Sequence, residues 1–318
     1  MTQHDRHARH GGHDHDHAHG HNHGHGHAPS TFGTAFAIAT ALNVALVTVQ
    51  VLYGVLAHSM ALLADAGHNA GDVIALVLAW GSHTVARRHP TERYTYGFGS
   101  TSIMAALINA TALLVVTGAI AWAAIERFWA PQPIAGVTVM VVAALAIAVN
   151  GAAAAILSRG NKQDLNVHGA FLHLVADAAV SAGVVAAGLV IFLTGWLWVD
   201  PLASLAISAV IVWSTWGLLR DAAKMSLQGV PPRIDPGAVR HYLQSLPAVA
   251  EVHDLHIWPM STTETALTCH LVMPDGYPED DFIDAVYAGL QQRFGIAHPT
   301  IQIERGDRPC KLSPAHIV

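Results

Sequence analysis

Between Thr31 and Leu219 the chain is a succession of long apolar runs separated by short polar breaks. Six runs can be drawn, at approximately Phe32–Leu56, Ala61–Ala86, Thr101–Phe128, Ile134–Leu157, Val167–Thr194 and Pro201–Leu219. Each comes to the roughly 20 residues with which a helix crosses a hydrocarbon core of about 30 Å. Helices are the economical choice there because they satisfy their own backbone polar groups. Pro90, Pro131, Pro133 and Pro201 sit in or beside the breaks, where a missing N–H does least damage. After Gln228 the pattern becomes that of an ordinary soluble domain. Pro236–Leu246 and Glu279–Phe294 read as helices, and Val249–Trp258, Thr263–Met273 and Thr300–Glu304 as strands. That αββαβ order predicts helices on one face of a small antiparallel or mixed sheet. The expected fold class is an α-helical membrane protein with six transmembrane helices and a C-terminal α+β domain. Its expected divisions are a tail over 1–30, a membrane domain over 31–222, a linker over 223–230, the α+β domain over 231–308 and a tail over 309–318.

Composition supports the membrane reading. Only 12% of the 318 residues are charged and 52% are hydrophobic, where a soluble domain carries about 25% charged residues. The net charge of −6 averages over compartments and decides little. Basic patches interleaved with aromatics are absent, which argues against nucleic acid as a partner. The two cysteines, Cys269 and Cys310, are too few for a disulfide framework and fit a reducing cytosol. Neither a Gly-x-x-x-x-Gly-Lys loop nor a His-Glu-x-x-His motif occurs, so ATP as energy source and a zinc protease are both disfavoured.

The basic residues orient the spans. Arg87, Arg88 and Arg93 lie between the second and third runs, Arg159 and Lys162 between the fourth and fifth, and Arg220 and Lys224 after the sixth. The alternate breaks carry only Arg127. Both termini are therefore expected in the cytosol.

Chemistry concentrates in two of the apolar runs. Asp65, His68 and Asp72 fall within roughly 60° of one face of the second span, at about 100° per residue. His68 and Asp72 are four residues apart, so both heads reach one ion. The fifth span repeats the pattern with His173 and Asp177. An Asp at the centre of a membrane helix costs about 2.5–3.5 kcal/mol on insertion scales, or roughly 8–10 kcal/mol for three left ionised and unpaired. Packing gives no reason to bear that cost, whereas a bound cation removes much of it. Two imidazoles and two carboxylates suit tetrahedral Zn²⁺, with Co²⁺ and Ni²⁺ chemically feasible, while Mg²⁺ and Ca²⁺ want more oxygens. Asp65 reads as a residue that orients the others or holds the helices, and Asn43 as a neighbour of the same cavity.

Two further groups are candidates for metal. His253 and His270 lie on neighbouring predicted strands, with His298 and Glu304 flanking the last. His256 is expected to face the other side of its strand from His253. The first 27 residues hold eleven histidines, including His13, His15, His17, His19, His21, His23, His25 and His27, interleaved with Gly, Asp, Asn and Ala. Such a tail has no apolar stretch to serve as a signal peptide and reads as a disordered, metal-capturing segment.

Ser59–Asp72 (SMALLADAGHNAGD), Asn166–Asp177 (NVHGAFLHLVAD), Arg93–Gly97 (RYTYG), Ala105–Asn109 (AALIN) and Val252–Trp258 (VHDLHIW) together resemble the cation diffusion facilitator family in its zinc-transporting branch. The resemblance implies a homodimer of six-span protomers with metallochaperone-like (ferredoxin-like) cytosolic domains, in the cell (inner) membrane if the source is a bacterium. It also implies metal-for-proton exchange by alternating access, with His68, Asp72, His173 and Asp177 as transport ligands. Zn²⁺ is the expected substrate and a candidate regulator, and no organic cofactor is expected. In the family a basic residue and a Glu usually open the third span, where this chain has Ser100 and Ser102; Arg93 with Asp221 is the substitute lock the sequence offers. The competing readings are a broader Zn/Co/Cd/Ni efflux protein and a membrane sensor that binds zinc without moving it.

Overall fold

The computed structural model describes residues 34–158, 165–277, 279–308 and 310. The histidine-rich tail lies outside the described residues. Six helices come first: α1 Thr34–Leu56, α2 Met60–Ala86, α3 Thr101–Arg127, α4 Gly136–Ser158, α5 Leu165–Thr194 and α6 Val199–Ser226. Among the described residues, α2 to α6 each hold a stretch long and apolar enough to cross a membrane, and Thr40–Leu56 of α1 is a shorter apolar stretch. Side chains such as Val115, Val141, Leu193 and Trp213 stand exposed on the outside of the bundle, as expected where the solvent is lipid rather than water. The sixth helix runs on through Arg220, Asp221 and Lys224 to Ser226, so it takes in half of the expected linker; a helix need not stop where its apolar run does.

The bundle is organised around α2, which touches α1, α3, α5 and α6. Its buried face carries Ala61, Leu62, Ala64 and Ala66. The three alanines let neighbouring backbones approach closely, the usual basis of helix packing in lipid. Helices α4 and α5 also pack closely: a Cβ on Gly188 would meet the Met140 side chain at 2.9 Å and the Gly136 carbonyl at 3.2 Å.

The end of the bundle remote from the sheet domain is held by polar bonds. Ser59 caps α2 by accepting from Leu62 N–H at 3.1 Å. Asp200, at the start of α6 and 1% exposed, accepts from the Ser59 hydroxyl, from Met60 N–H at 2.6 Å and from Ala61 N–H at 3.3 Å. The first N–H groups of α2, which have no partner inside the helix, are thus answered by a carboxylate of another helix. Arg127, the one basic residue of the alternate breaks, donates to the His58 carbonyl at 2.8 Å.

Past α6, α7 (Pro236–Gln244), β1 (Glu251–Pro259), β2 (Thr265–Val272), α8 (Asp280–Phe294) and β3 (His298–Glu304) realise the αββαβ order. The sheet has the order β1-β2-β3, with β1 antiparallel and β3 parallel to β2. Asp235 starts α7 by accepting from Gly237 N–H, with Pro236 at the first helical position. Gly295, at φ 68°, ends α8 in a left-handed turn. Val239, Leu243, Val286 and Leu290 of the helices pack on Val252, Ile257, Leu267, Cys269 and Leu271. Burial pushes the Cys269 thiol up to about 12, as fits an inert core residue. The other face of the sheet is polar.

Domain and bundle meet at the start of α3. Ser102 Oγ accepts from Thr262 N–H in the β1–β2 turn at 3.1 Å, and the Tyr96 ring stands edge-on to His298 with centroids 5.6 Å apart. Among the described residues no ion pair joins Arg93 to Asp221, so the substitute lock expected from the sequence is not formed; a serine hydroxyl and a backbone amide make the contact there instead.

Candidate metal centres

Helices α2 and α5 run in opposite directions, so their two His-x-x-x-Asp pairs meet in reversed order. His68 faces Asp177, with Nε2 to Oδ1 at 3.0 Å. One turn nearer the sheet domain, His173 Nε2 lies 3.4 Å from Asp72 Oδ2, and it is 3.6 Å from Asp177 Oδ2. Asp177 therefore touches both imidazoles. The two rings stand edge-on with centroids 6.2 Å apart. One donor atom from each of His68, Asp72 and Asp177 can be chosen so that all lie within 4.8 Å of one another. Side-chain exposure rises from 5% at Asp177 and 15% at His68 to 29% at His173 and 32% at Asp72. The cluster is thus most open on the side of the sheet domain and closed on the other. His68 Nδ1 is buried without a hydrogen-bond partner.

On the closed side lies a polar layer of which the sequence marked only Asp65. Asp65 accepts from Gln50 Nε2 at 2.6 Å and from Ser181 Oγ at 3.0 Å and 3.2 Å, and Gln50 Oε1 accepts from Asn69 Nδ2 at 2.9 Å. Asp65, Gln50 and Ser181 are each 1% exposed or less. Asp65 thus ties α1, α2 and α5 together and makes no hydrogen bond to His68. Asn43 is half-buried and joins neither Asp65 nor the four residues among the described contacts; Gln50, two turns further along α1, takes the place expected of it. Ser181 stands four residues beyond Asp177, on the same helix face, and that spacing was the available signal.

The second cluster lies on the polar face of the sheet. His253 opposes His270 across the β1–β2 pair, their rings edge-on with centroids 5.2 Å apart. Glu304 reaches both, with Oε1 3.0 Å from His270 Nδ1 and Oε2 3.3 Å from His253 Nε2. Burial alone would raise the Glu304 carboxyl, but hydrogen bonds from Cys310 and Gln302 and the two imidazoles outweigh it and hold it below the ordinary range. Cys310 Sγ completes the group, 3.6 Å from His270 Nδ1. His298 does not join it: parallel pairing puts His298 beside Ala266 and Glu304 beside Val272, at opposite ends of β3. His256 also departs from expectation. The register jumps from His253↔His270 to His256↔Thr268, so two residues of β1 oppose one of β2. The extra residue cancels the alternation and returns His256 to the face of His253.

A bundle of apolar helices with a partly buried His/Asp cluster between two of them, followed by a small αββαβ domain, defines a multi-pass membrane protein with a candidate cation site. Residues 36–225 match the model of the cation efflux transmembrane domain, and residues 231–306 that of the cation efflux protein cytoplasmic domain. The chain belongs to the cation efflux (cation diffusion facilitator) family and is a secondary transporter, not an enzyme. It is 36% identical to the zinc transporter ZitB of Escherichia coli (strain K12), over 85% of this chain and 86% of that protein. It is 34% identical to the metal cation efflux system protein CzcD of Cupriavidus metallidurans, over 87% and 88%. A cadmium, cobalt and zinc/H(+)-K(+) antiporter of Bacillus subtilis (strain 168) is 32% identical over 80% and 84%.

Proposed function

We propose that the protein exports Zn²⁺ from the cytosol in exchange for protons, as a homodimer of six-span protomers with both termini in the cytosol of a bacterial cell. His68, Asp72, His173 and Asp177 are the transport ligands. The observation that carries this reading is the meeting of two antiparallel His-x-x-x-Asp pairs at one point between α2 and α5. Two nitrogens and two oxygens fit a tetrahedral Zn²⁺. The basic residues beside the breaks and a domain of cytoplasmic type after α6 support the orientation. On that orientation the more exposed pair, His173 and Asp72, faces the cytosol, where metal is loaded.

Loading needs neutral imidazoles and ionised carboxylates, so a metal ion entering the cluster displaces protons, and protons arriving from outside displace the metal. An imidazole titrates at about pH 6.5 in water, which makes it the side chain whose protonation is most readily exchanged for metal. Zn²⁺ flux into sealed vesicles under an imposed pH gradient, with internal pH followed simultaneously, tests the reading. Zn²⁺ movement matched by opposite proton movement is expected, and it should rise with the gradient. Binding without flux would favour the sensor, and comparable Cd²⁺, Co²⁺ or Ni²⁺ flux the broader efflux protein.

The cytosolic cluster of His253, His270 and Glu304 reads as a regulatory metal site. The donor set fits: both ring nitrogens of His253 are buried without a hydrogen bond, and a ligated ion would remove that cost at one of them. The tail histidines serve as weak, interchangeable capture sites. Deleting residues 1–28 is expected to raise the Zn²⁺ concentration for half-maximal flux several-fold with little change in maximal flux; an unchanged half-maximal concentration would reject capture.

A further inference from the structure

Three features of the cytosolic cluster go beyond His253, His270 and Glu304. Cys310 places a thiol against His270 Nδ1 and within hydrogen-bond reach of Glu304. Its donor atom and those of the other three lie within 4.8 Å of one another. A tetrahedral ion with bonds of about 2.0–2.3 Å sets neighbouring donors roughly 3.3–3.8 Å apart, so a modest contraction brings all four onto one ion. The second feature is His253, 7% exposed, whose two ring nitrogens have no hydrogen bond although Nε2 points to the Glu304 carboxylate at 3.3 Å. The third is Asp254. It occupies the bulge of β1 at φ 50°, a left-handed conformation that side chains adopt at some cost. There its Oδ2 lies 3.4 Å from His270 Nε2 while its Oδ1 accepts from His256 at 2.8 Å.

We propose that Cys310 is the fourth ligand of the cytosolic site, and that Asp254 positions His270 by holding a proton on Nε2 so that Nδ1 faces the ion. The inference rests on the reading of the cytosolic cluster as a metal site. A carboxylate behind a ligating imidazole fixes its tautomer and ring orientation, and the bulge places Asp254 where it does so. Two nitrogens, one oxygen and one thiolate favour borderline-soft divalent ions such as Zn²⁺, Co²⁺ and Cd²⁺ and disfavour Mg²⁺, Ca²⁺ and Mn²⁺. The transport cluster, by contrast, contains no sulfur.

Co²⁺ added to the full-length protein in detergent tests this, because a thiolate ligand produces a near-ultraviolet sulfur-to-cobalt charge-transfer band that imidazoles and carboxylates do not. The band is expected in the wild type, absent in Cys310→Ser and retained in Cys269→Ala, whose thiol is in the core on the opposite face. Asp254→Asn should keep the band but require about 10–100-fold more Co²⁺ to develop it, the usual loss when the partner of a ligand is removed. No band in the wild type, or a band that survives Cys310→Ser, overturns the ligand assignment; an Asp254→Asn titration identical to wild type overturns the positioning role. Bound metal counted by equilibrium dialysis separates this from failure of the underlying reading. If His253→Ala loses one bound ion while the wild type shows no band, the site stands without Cys310; if His253→Ala loses none, the cytosolic site itself falls.

Discussion

Asp177→Ala is expected to reduce Zn²⁺ flux in proteoliposomes to background, a loss of at least about 100-fold, beyond what removal of an outer partner of a metal ligand costs. Asp177 is the most buried of the four residues, and it reaches both imidazoles, His68 at 3.0 Å and His173 at 3.6 Å. Without it the cluster keeps one carboxylate, Asp72, against the charge of a divalent ion in a medium where unpaired charge is expensive. His68→Ala should be equally severe, because it removes a nitrogen donor from the more enclosed pair. Both variants should still fold, since no bond of Asp177 or His68 in the cluster belongs to the layer that ties α1, α2 and α5 together. Monodisperse elution and an unchanged melting temperature in detergent would establish that. Normal flux in either variant would sink the assignment of the transport site.

The second large effect falls on stability. Asp200→Ala is expected to destabilise the membrane bundle by about 3 kcal/mol or more, because three buried donors lose their acceptor together and each one left unsatisfied costs about 1–3 kcal/mol. The carboxylate accepts from the Ser59 hydroxyl and from the backbone N–H groups of Met60 and Ala61. Its loss leaves these donors buried at the first turn of α2, without the charge that favours a helix N-terminus. Ser59→Ala, which removes one cap bond and leaves the carboxylate with the two backbone donors, should cost only about 0.5–2 kcal/mol. Thermal unfolding in detergent, followed by the intrinsic fluorescence of the tryptophans, orders the two variants. Equal melting temperatures for Asp200→Ala and wild type would show that α2 does not depend on this clamp. Because α2 carries His68 and Asp72, its loosening should also lower flux, but without the selective loss of metal binding expected at Asp177.

Much of this was open to a reader of the chain alone. Length and apolarity mark the helices, because lipid leaves a spanning segment few structural options. The periodicities of 3.6 and 2 mark the elements of the cytosolic domain in their correct order. The four residues proposed as transport ligands stand out because charge inside an apolar run is costly wherever the helix goes, and spacing alone puts each pair on one face. Most of the polar layer stayed hidden for the opposite reason: Asp65 was marked by its cost in an apolar run, but Gln50, Asn69 and Ser181 are unremarkable one at a time and acquire meaning only where α1, α2 and α5 converge. Asp200 likewise looks like a helix-start acid until the N-terminus of α2, some 140 residues earlier, is found against it.

The sheet teaches the same distinction. Sequence alternation by itself set His256 apart from His253, and the bulge at Asp254, a backbone choice made by pairing with β2, brought them back to one face. Parallel pairing of β3 sent His298 to the far end of the sheet and brought Glu304 to the histidines, while the turn of the chain past β3 delivered Cys310. What the sequence determined by itself is local: which segments are helices or strands, and which carry polar groups at a cost. What only the tertiary structure decided is which of those groups share a point in space, because helix convergence, strand register and bulges join residues that no short spacing relates.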